Sequence, residues 1–227
     1  YGFIGPNGAG KSTTIRVLVD LLRPTAGEAD VFGEPPAQGG PAQRARIGYL
    51  PGELALVGRL TAREHLHHLA ALRGGRGVER IDTLAERFTL ELDRPFRALS
   101  RGNKQKVGVV QAFMHEPELL VLDEPTSGLD PLLQHEFLDL VRETAARGAT
   151  VFMSSHVLRE VETVADRVAV IREGRTVDVD SVQGLRARAG QRVALTFAEA
   201  PDPAPFAALS EVRDVTVDGP TLHRRLH

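Results

Sequence analysis

The sequence predicts an α/β fold with a mostly parallel sheet covered on both faces, and three observations carry that expectation. Short apolar runs alternate with longer amphipathic stretches, the order of strand–helix repeats. Leu119-Leu120-Val121-Leu122 is apolar throughout, as a strand buried on both faces would be. Thr13 to Arg23 places Ile15, Leu18, Val19 and Leu22 on one helical face.

Each element follows from local chemistry. Pro24 and Gly27 stop the first helix. Arg46 to Leu50 reads as a short strand ending at Pro51. Thr61-Ala62-Arg63-Glu64 is a capping box, which starts a helix closed by Gly74-Gly75. Val78, Ile81, Leu84, Ala85 and Phe88 mark another amphipathic helix. Ser100 caps a helix carrying Val107, Val110, Gln111 and Met114. Asp130-Pro131 is an N-cap followed by proline at the first helical position, and that helix stops at Gly148. Ala149 to Met153 reads as a buried strand, Val157 to Ala165 as a short helix, and Val168–Ile171 with Thr176–Val179 as a hairpin. The pattern weakens after Ser181. Arg192–Phe197, Val212–Val217 and Thr221–Leu226 read as strands of a small α+β appendage beyond a proline-rich stretch at Pro201, Pro203 and Pro205.

The 227 residues suffice for one core-bearing domain with an appendage. Hydrophobic residues make up 42% and charged residues 26%, a globular composition. A net charge of −2 gives no electrostatic footprint for nucleic acid. The absence of cysteine excludes disulfides and thiolate metal sites. No apolar run approaches the roughly 18 residues that a spanning helix needs. Any membrane-spanning part of the system is therefore expected on another chain. Only Tyr1 to Ile4 precede the first motif, so the sequence reads as one lacking its N-terminal segment.

Two motifs carry chemistry. Gly5-Pro6-Asn7-Gly8-Ala9-Gly10-Lys11-Ser12 fits G-x-x-x-x-G-K-[ST], in which glycines turn backbone N–H groups around phosphate oxygens. The helix that follows, through Thr13, offers its positive end to the same anion. Lys11 would reach the β- and γ-phosphates, and the Ser12 hydroxyl would sit on Mg²⁺. The apolar run 119–122 ends in Asp123-Glu124: a strand-end Asp suits Mg²⁺, and an adjacent Glu suits polarising a water.

With these residues in order, the chain resembles the ATP-binding cassette (ABC) family. Leu99-Ser100-Arg101-Gly102-Asn103 resembles the signature L-S-G-G-Q, and Ser127-Gly128-Leu129-Asp130 matches the D-loop. His156 stands where the family has its switch histidine, and Tyr49-Leu50-Pro51 matches the approach to the Q-loop. The resemblance covers about residues 1–180, and Asn103-Lys104-Gln105-Lys106 with the tail looks most like the ABC-2 class of exporters. Three departures stand out: Arg101 and Asn103 in the signature, Gly52-Glu53 where the family has its Q-loop Gln, and no upstream aromatic to stack on adenine.

The resemblance implies a phosphate-loop NTPase fold over 1–180, with a helical subdomain at about 53–115 and an appendage at 181–227. It implies ATP and Mg²⁺ as ligands and Lys11, Glu124 and His156 as catalytic residues. Gly5 to Thr13 would form the nucleotide site, with Ser100 and Gly102 facing the γ-phosphate on a second cassette and Asp130 linking the two sites. The expected partners are a like cassette, in a homodimer, and a separately encoded permease at the cytoplasmic face of the membrane. The implied role is the ATP-hydrolysing motor of an exporter. A soluble non-transport ABC ATPase and an inactive regulatory cassette are the alternatives. Short helical insertion and lack of cysteine weigh against the first, and retention of Lys11, Asp123, Glu124 and His156 against the second. His65, His67 and His68 read as a solvated helix face, and Arg73, Arg76 and Arg80 as surface charges.

Overall fold

The computed structural model describes residues 1–54, 58–189, 191–207 and 212–226. Two compact units divide the chain, Tyr1–Val179 and Asp180–His227. The first runs β1 (Gly2–Ile4), α1 (Lys11–Leu18), α2 (Pro36–Ala45, broken at Gly40), β2 (Ile47–Leu50), α3 (Ala62–Leu72), α4 (Ile81–Arg87), α5 (Arg101–Phe113), β3 (Leu119–Asp123), α6 (Pro131–Ala146), β4 (Thr150–Ser155), α7 (Leu158–Val164), β5 (Arg167–Arg172) and β6 (Arg175–Ser181). The second contains α8 (Val182–Ala189), β7 (Gln191–Thr196), α9 (Ala204–Ala207), β8 (Val212–Asp218) and β9 (Thr221–Leu226). Its three strands form an antiparallel sheet in the order β7-β9-β8.

The main sheet has the order β2-β3-β4-β1-β5-β6, and the pairs β2–β3, β3–β4, β4–β1 and β1–β5 are parallel. Strand β4 therefore lies between β1 and β3. Its register sets Ser154 level with Asp123 and Ser155 level with Ile4. In open parallel sheets the crevice at the carboxyl ends of the strands is where ligands bind. Here the segments that leave β1, β3 and β4 all start at that edge, one strand apart.

The core is built from the run 119–122 and its neighbours. Leu50, Leu120, Leu122, Met153, Ile15, Phe113 and Phe137 are all buried. Phe113 of α5 meets Phe137 of α6 edge-on, with centroids 5.9 Å apart. Tyr1 stacks on Phe152 at 6.0 Å. The capping box forms as expected, with Thr61 Oγ1 accepting from Glu64 N at 3.1 Å and Thr61 N donating to Glu64 Oε2 at 2.8 Å. Ser100 caps α5, accepting from Asn103 N at 3.2 Å, and Asp130 caps α6, accepting from Leu133 N at 3.1 Å.

Four expectations need correction. The first helix stops at Leu18 rather than Arg23, because Asp20 takes a positive φ of 59° and the amides of Leu21 and Leu22 turn back to the Arg16 carbonyl. Leu22 is consequently exposed instead of facing the core. His65 is buried and pairs with Gln111 Oε1 at 3.1 Å, so it belongs to the α3–α5 contact, while His67 and His68 are exposed. Arg73 is half-buried with its Nε shut off from solvent, and Arg80 is ion-paired with Glu116 at 2.9 Å; only Arg76 is exposed.

Helix α5 lies directly on β2 because glycines permit it. A Cβ on Gly48 would sit 2.2 Å from the Ala112 carbonyl oxygen, and one on Gly108 would sit 2.5 Å from Leu50 Cδ1. Overpacking of this kind costs about 1–3 kcal/mol. Gly48→Ala is expected to lower unfolding free energy by about 2 kcal/mol or more in urea denaturation, since the obstacle is backbone and cannot rotate away.

Candidate active site

The phosphate-loop segment folds as its glycines require. Gly8 and Gly10 have φ of 79° and 106°, in the left-handed region where a side chain is strained. Gly10 caps α1 without any side-chain hydrogen bond, so the first amides of the helix remain open to an anion. A cavity of about 370 Å³ opens there, lined by Asn7, Gly8, Gly10, Lys11, Ser12, Thr13 and Glu124. Gly5, Pro6 and Ala9 shape the loop from behind. The Pro6 carbonyl accepts from Ala9 N at 3.2 Å, and the Ala9 carbonyl from Gly174 N at 2.9 Å.

Lys11 is only 5% exposed, and its ammonium finds three acceptors. These are the Gly5 carbonyl at 2.7 Å, the Pro6 carbonyl at 3.2 Å and Glu124 Oε1 at 3.1 Å. An ammonium has three donors, so this set matches the number needed to bury it. The other oxygen of Glu124, Oε2, contacts His156 Nδ1. Lys11, Glu124 and His156 thus come together from the segments that leave β1, β3 and β4, with Glu124 between the other two.

The supports of this cluster were not legible from motifs. Ser154, fully buried on β4, donates to Asp123 Oδ1 at 2.7 Å and accepts from Glu124 N at 3.0 Å. Glu160 of α7 accepts from Thr126 Oγ1 and from Ser155 Oγ, both at 2.8 Å. Gln105 of α5 donates to the Pro125 carbonyl at 2.7 Å. The only signal in the sequence was the side-chain chemistry of Ser154 and Ser155 beside His156.

Asp123 is buried, 3% exposed, with Oδ1 occupied by Ser154. Its Oδ2 faces Gly52, where an added Cβ would lie 3.3 Å away. Burial, reinforced by the charge of Asp123, pushes the Tyr49 phenol upward, so it remains a neutral hydroxyl. Among the described residues no group of three or more His, Cys, Asp or Glu could hold a metal alone. One carboxylate and one hydroxyl fit Mg²⁺, which is bound through one or two hard oxygen ligands together with substrate phosphates. Ser12 lines the phosphate-loop cavity and Asp123 ends β3, so each is a hard oxygen donor of the type such an ion takes.

Ser100, Gly102 and Asp130 do not line the cavity of their own chain. Ser100 and Gly102 stand at the N-terminus of α5, beside the 127–128 turn: Arg101 Nη2 donates to Ser127 Oγ at 3.2 Å, and a Cβ on Gly102 would meet the Gly128 carbonyl at 2.8 Å. Gly52, Glu53 and Leu54 line a separate cavity of about 360 Å³ with Arg101, Lys104 and Gln105.

The family described as ABC transporter matches residues 1–127. The bacitracin transport ATP-binding protein BcrA of Bacillus licheniformis is 40% identical over 191 residues, covering 83% of this chain and 62% of that protein. The daunorubicin resistance ATP-binding protein DrrA3 of Streptomyces coeruleorubidus is 38% identical over 227 residues, 96% of this chain and 71% of that protein. A solved ATP-binding subunit of an ABC transporter superposes with a TM-score of 0.76 at 35% identity, covering 82% of this chain and 80% of its own. A dimeric ATP-binding cassette bound to ADP and Pi shares the fold, with a TM-score of 0.69 at 22% identity over 80% of this chain and 84% of its own.

The Ser154 bridge gives a direct test. Ser154→Ala leaves a buried N–H and a buried carboxylate oxygen each short of a partner, which costs about 1–3 kcal/mol. Urea denaturation is expected to show a loss of that size, whereas a loss below about 0.5 kcal/mol would contradict the bridging role.

Proposed function

The chain belongs to the ABC transporter family of ATP-binding proteins, and from that premise we propose that it binds MgATP and hydrolyses it as the motor subunit of an ABC-2 type membrane exporter. The observation that carries the reading is the pairing of Lys11 with Glu124 in the lining of the phosphate-loop cavity, with His156 on the other oxygen of Glu124. The proposed partners are a second like cassette and a separately encoded permease, at the cytoplasmic face of the membrane. Relatives named for bacitracin transport and daunorubicin resistance support an exporter. The chain spans 62% of the length of the first of these. Among the described residues no helix is long and apolar enough to cross a membrane, which fits a permease on another chain.

The residues divide the chemistry as follows. The loop amides and the open end of α1 bind phosphate oxygens. A phosphate group competes with Glu124 for Lys11, since a multiply charged anion attracts an ammonium more strongly than one carboxylate does. Losing Lys11 leaves Glu124 free to accept from the attacking water, with His156 retained on its other oxygen. Ser12 and Asp123 would hold Mg²⁺, which supplies charge neutralisation at the phosphates when bound. Ser100 and Gly102 would complete the site of the second cassette from the end of α5, where partial positive charge gathers. Their separation from the cavity of their own chain favours that division.

Lys11→Ala is expected to lower ATP turnover by on the order of 10²-fold, the loss typical of a preorganised charge. Activity within a factor of about two of the parent would remove the phosphate-loop assignment. Glu124→Gln is expected to bind MgATP, to turn it over at a residual rate lower by on the order of 10²-fold, and to shift from monomer to dimer in light scattering when MgATP is added. A Glu124→Gln protein that stays monomeric at saturating MgATP would count against the composite site.

A further inference from the structure

Gln105 has no task in the chemistry proposed above, yet it is 6% exposed and its amide is committed to one acceptor. That acceptor is the Pro125 carbonyl at 2.7 Å, in a buried contact between α5 and the segment leaving β3. The residue before Pro125 is Glu124, whose φ is 49°. A β-carbon-bearing residue in this region is strained, and such strain persists only where the surroundings over-determine it. The surroundings here grip the Glu124–Pro125 unit at both ends. Ser154 Oγ takes the Glu124 N–H at 3.0 Å, and Gln105 Nε2 takes the carbonyl that follows.

We propose that Gln105 is a positioning residue for Glu124: by fixing the Pro125 carbonyl it holds the backbone twist that aims the carboxylate between Lys11 and His156. A neutral amide suits the place. It donates to a carbonyl without adding a cation that would compete with Lys11 for Glu124. Gln105 also rides on α5, whose N-terminus carries Ser100 and Gly102. One side chain therefore ties the carboxylate of one nucleotide site to the helix end that would complete the other. The inference rests on the reading of Glu124 as the water-positioning carboxylate.

The test is steady-state and single-turnover ATP hydrolysis by the purified protein. Gln105→Met keeps length and burial but cannot donate. Its kcat is expected to fall by about 10-fold or more while KM for ATP stays within about two-fold, because the phosphate loop is untouched. In a Glu124→Gln background the same change is expected to add less than about a two-fold loss, since the group it positions is gone. A merely structural residue would lose the same factor in both backgrounds. Gln105→Glu supplies the second readout and covers a Met variant that folds poorly. Its carboxyl donates to the carbonyl only when protonated, so its kcat relative to the parent is expected to decline between about pH 6 and 8. A Gln105→Met kcat within two-fold of the parent, an equal loss in both backgrounds, or a flat pH ratio for Gln105→Glu would each overturn the proposal. Parent activity that Glu124→Gln does not reduce would instead overturn the reading of Glu124 beneath it.

Discussion

The buried ammonium of Lys11 is the constraint around which the site is organised. Burying a cation is costly unless its donors are met, and here two loop carbonyls and a carboxylate meet all three. Those acceptors come from the end of β1 and the end of β3, which are not neighbours in the sheet. The intervening strand β4 must therefore hold them at one level, and its register does so through Ser154 opposite Asp123 and Ser155 opposite Ile4. A slip of one residue in β4 would send Ser154 to the opposite face and leave Glu124 N–H unmet.

The helical side is fixed to the same edge by different means. Glycines at 48 and 108 let the backbones of α5 and β2 approach closely. Arg87 of α4 adds contacts to α6, pairing with Glu136 and, in a bidentate grip at 2.7 and 2.8 Å, with Glu143. Arg87 is 24% exposed, but Glu136 and Glu143 are 38% and 47% exposed, so solvent still screens these pairs. Helix α4 is thus held to α6, whose cap is Asp130. Helix α5 meets the same α6 through Phe113 and Phe137.

What the sequence disclosed was chemistry encoded over short spans. The glycine loop, the strand ending in Asp123-Glu124, the Thr61 capping box and the Ser100 and Asp130 caps each need only a few adjacent residues. Family resemblance located His156, and the structure sets it against Glu124. What stayed hidden depends on partners far along the chain. Ser154 acts on residues about thirty positions away, and Gln105 on a carbonyl about twenty away. No periodicity marks such contacts. The helix that ends at Leu18 failed for another reason: Asp20 carries a left-handed turn that glycine or asparagine would have signalled more clearly. His65 and Arg73 misled because polar residues on and just after an amphipathic helix were assigned to water, when α5 offered Gln111 to His65 and α3 itself offered the Leu69 carbonyl to Arg73.

The arrangement of Glu124 bears on how binding and turnover are joined. Both of its oxygens are engaged, one by Lys11 and one by His156, so the carboxylate's charge is directed at the ammonium rather than offered whole to a water, although each oxygen keeps a further acceptor site. On the proposed reading, the anion that occupies the loop is also the agent that relieves this engagement, because it takes Lys11 for itself. The carboxylate then keeps its aim, since aim comes from the backbone at Glu124 and Pro125 and not from the ion pair. A site built this way holds its base in reserve until phosphate arrives, and it does so with the same ammonium that the phosphate needs. Pairing a carboxylate with that ammonium also lowers the cost of gathering charge at the edge of the sheet.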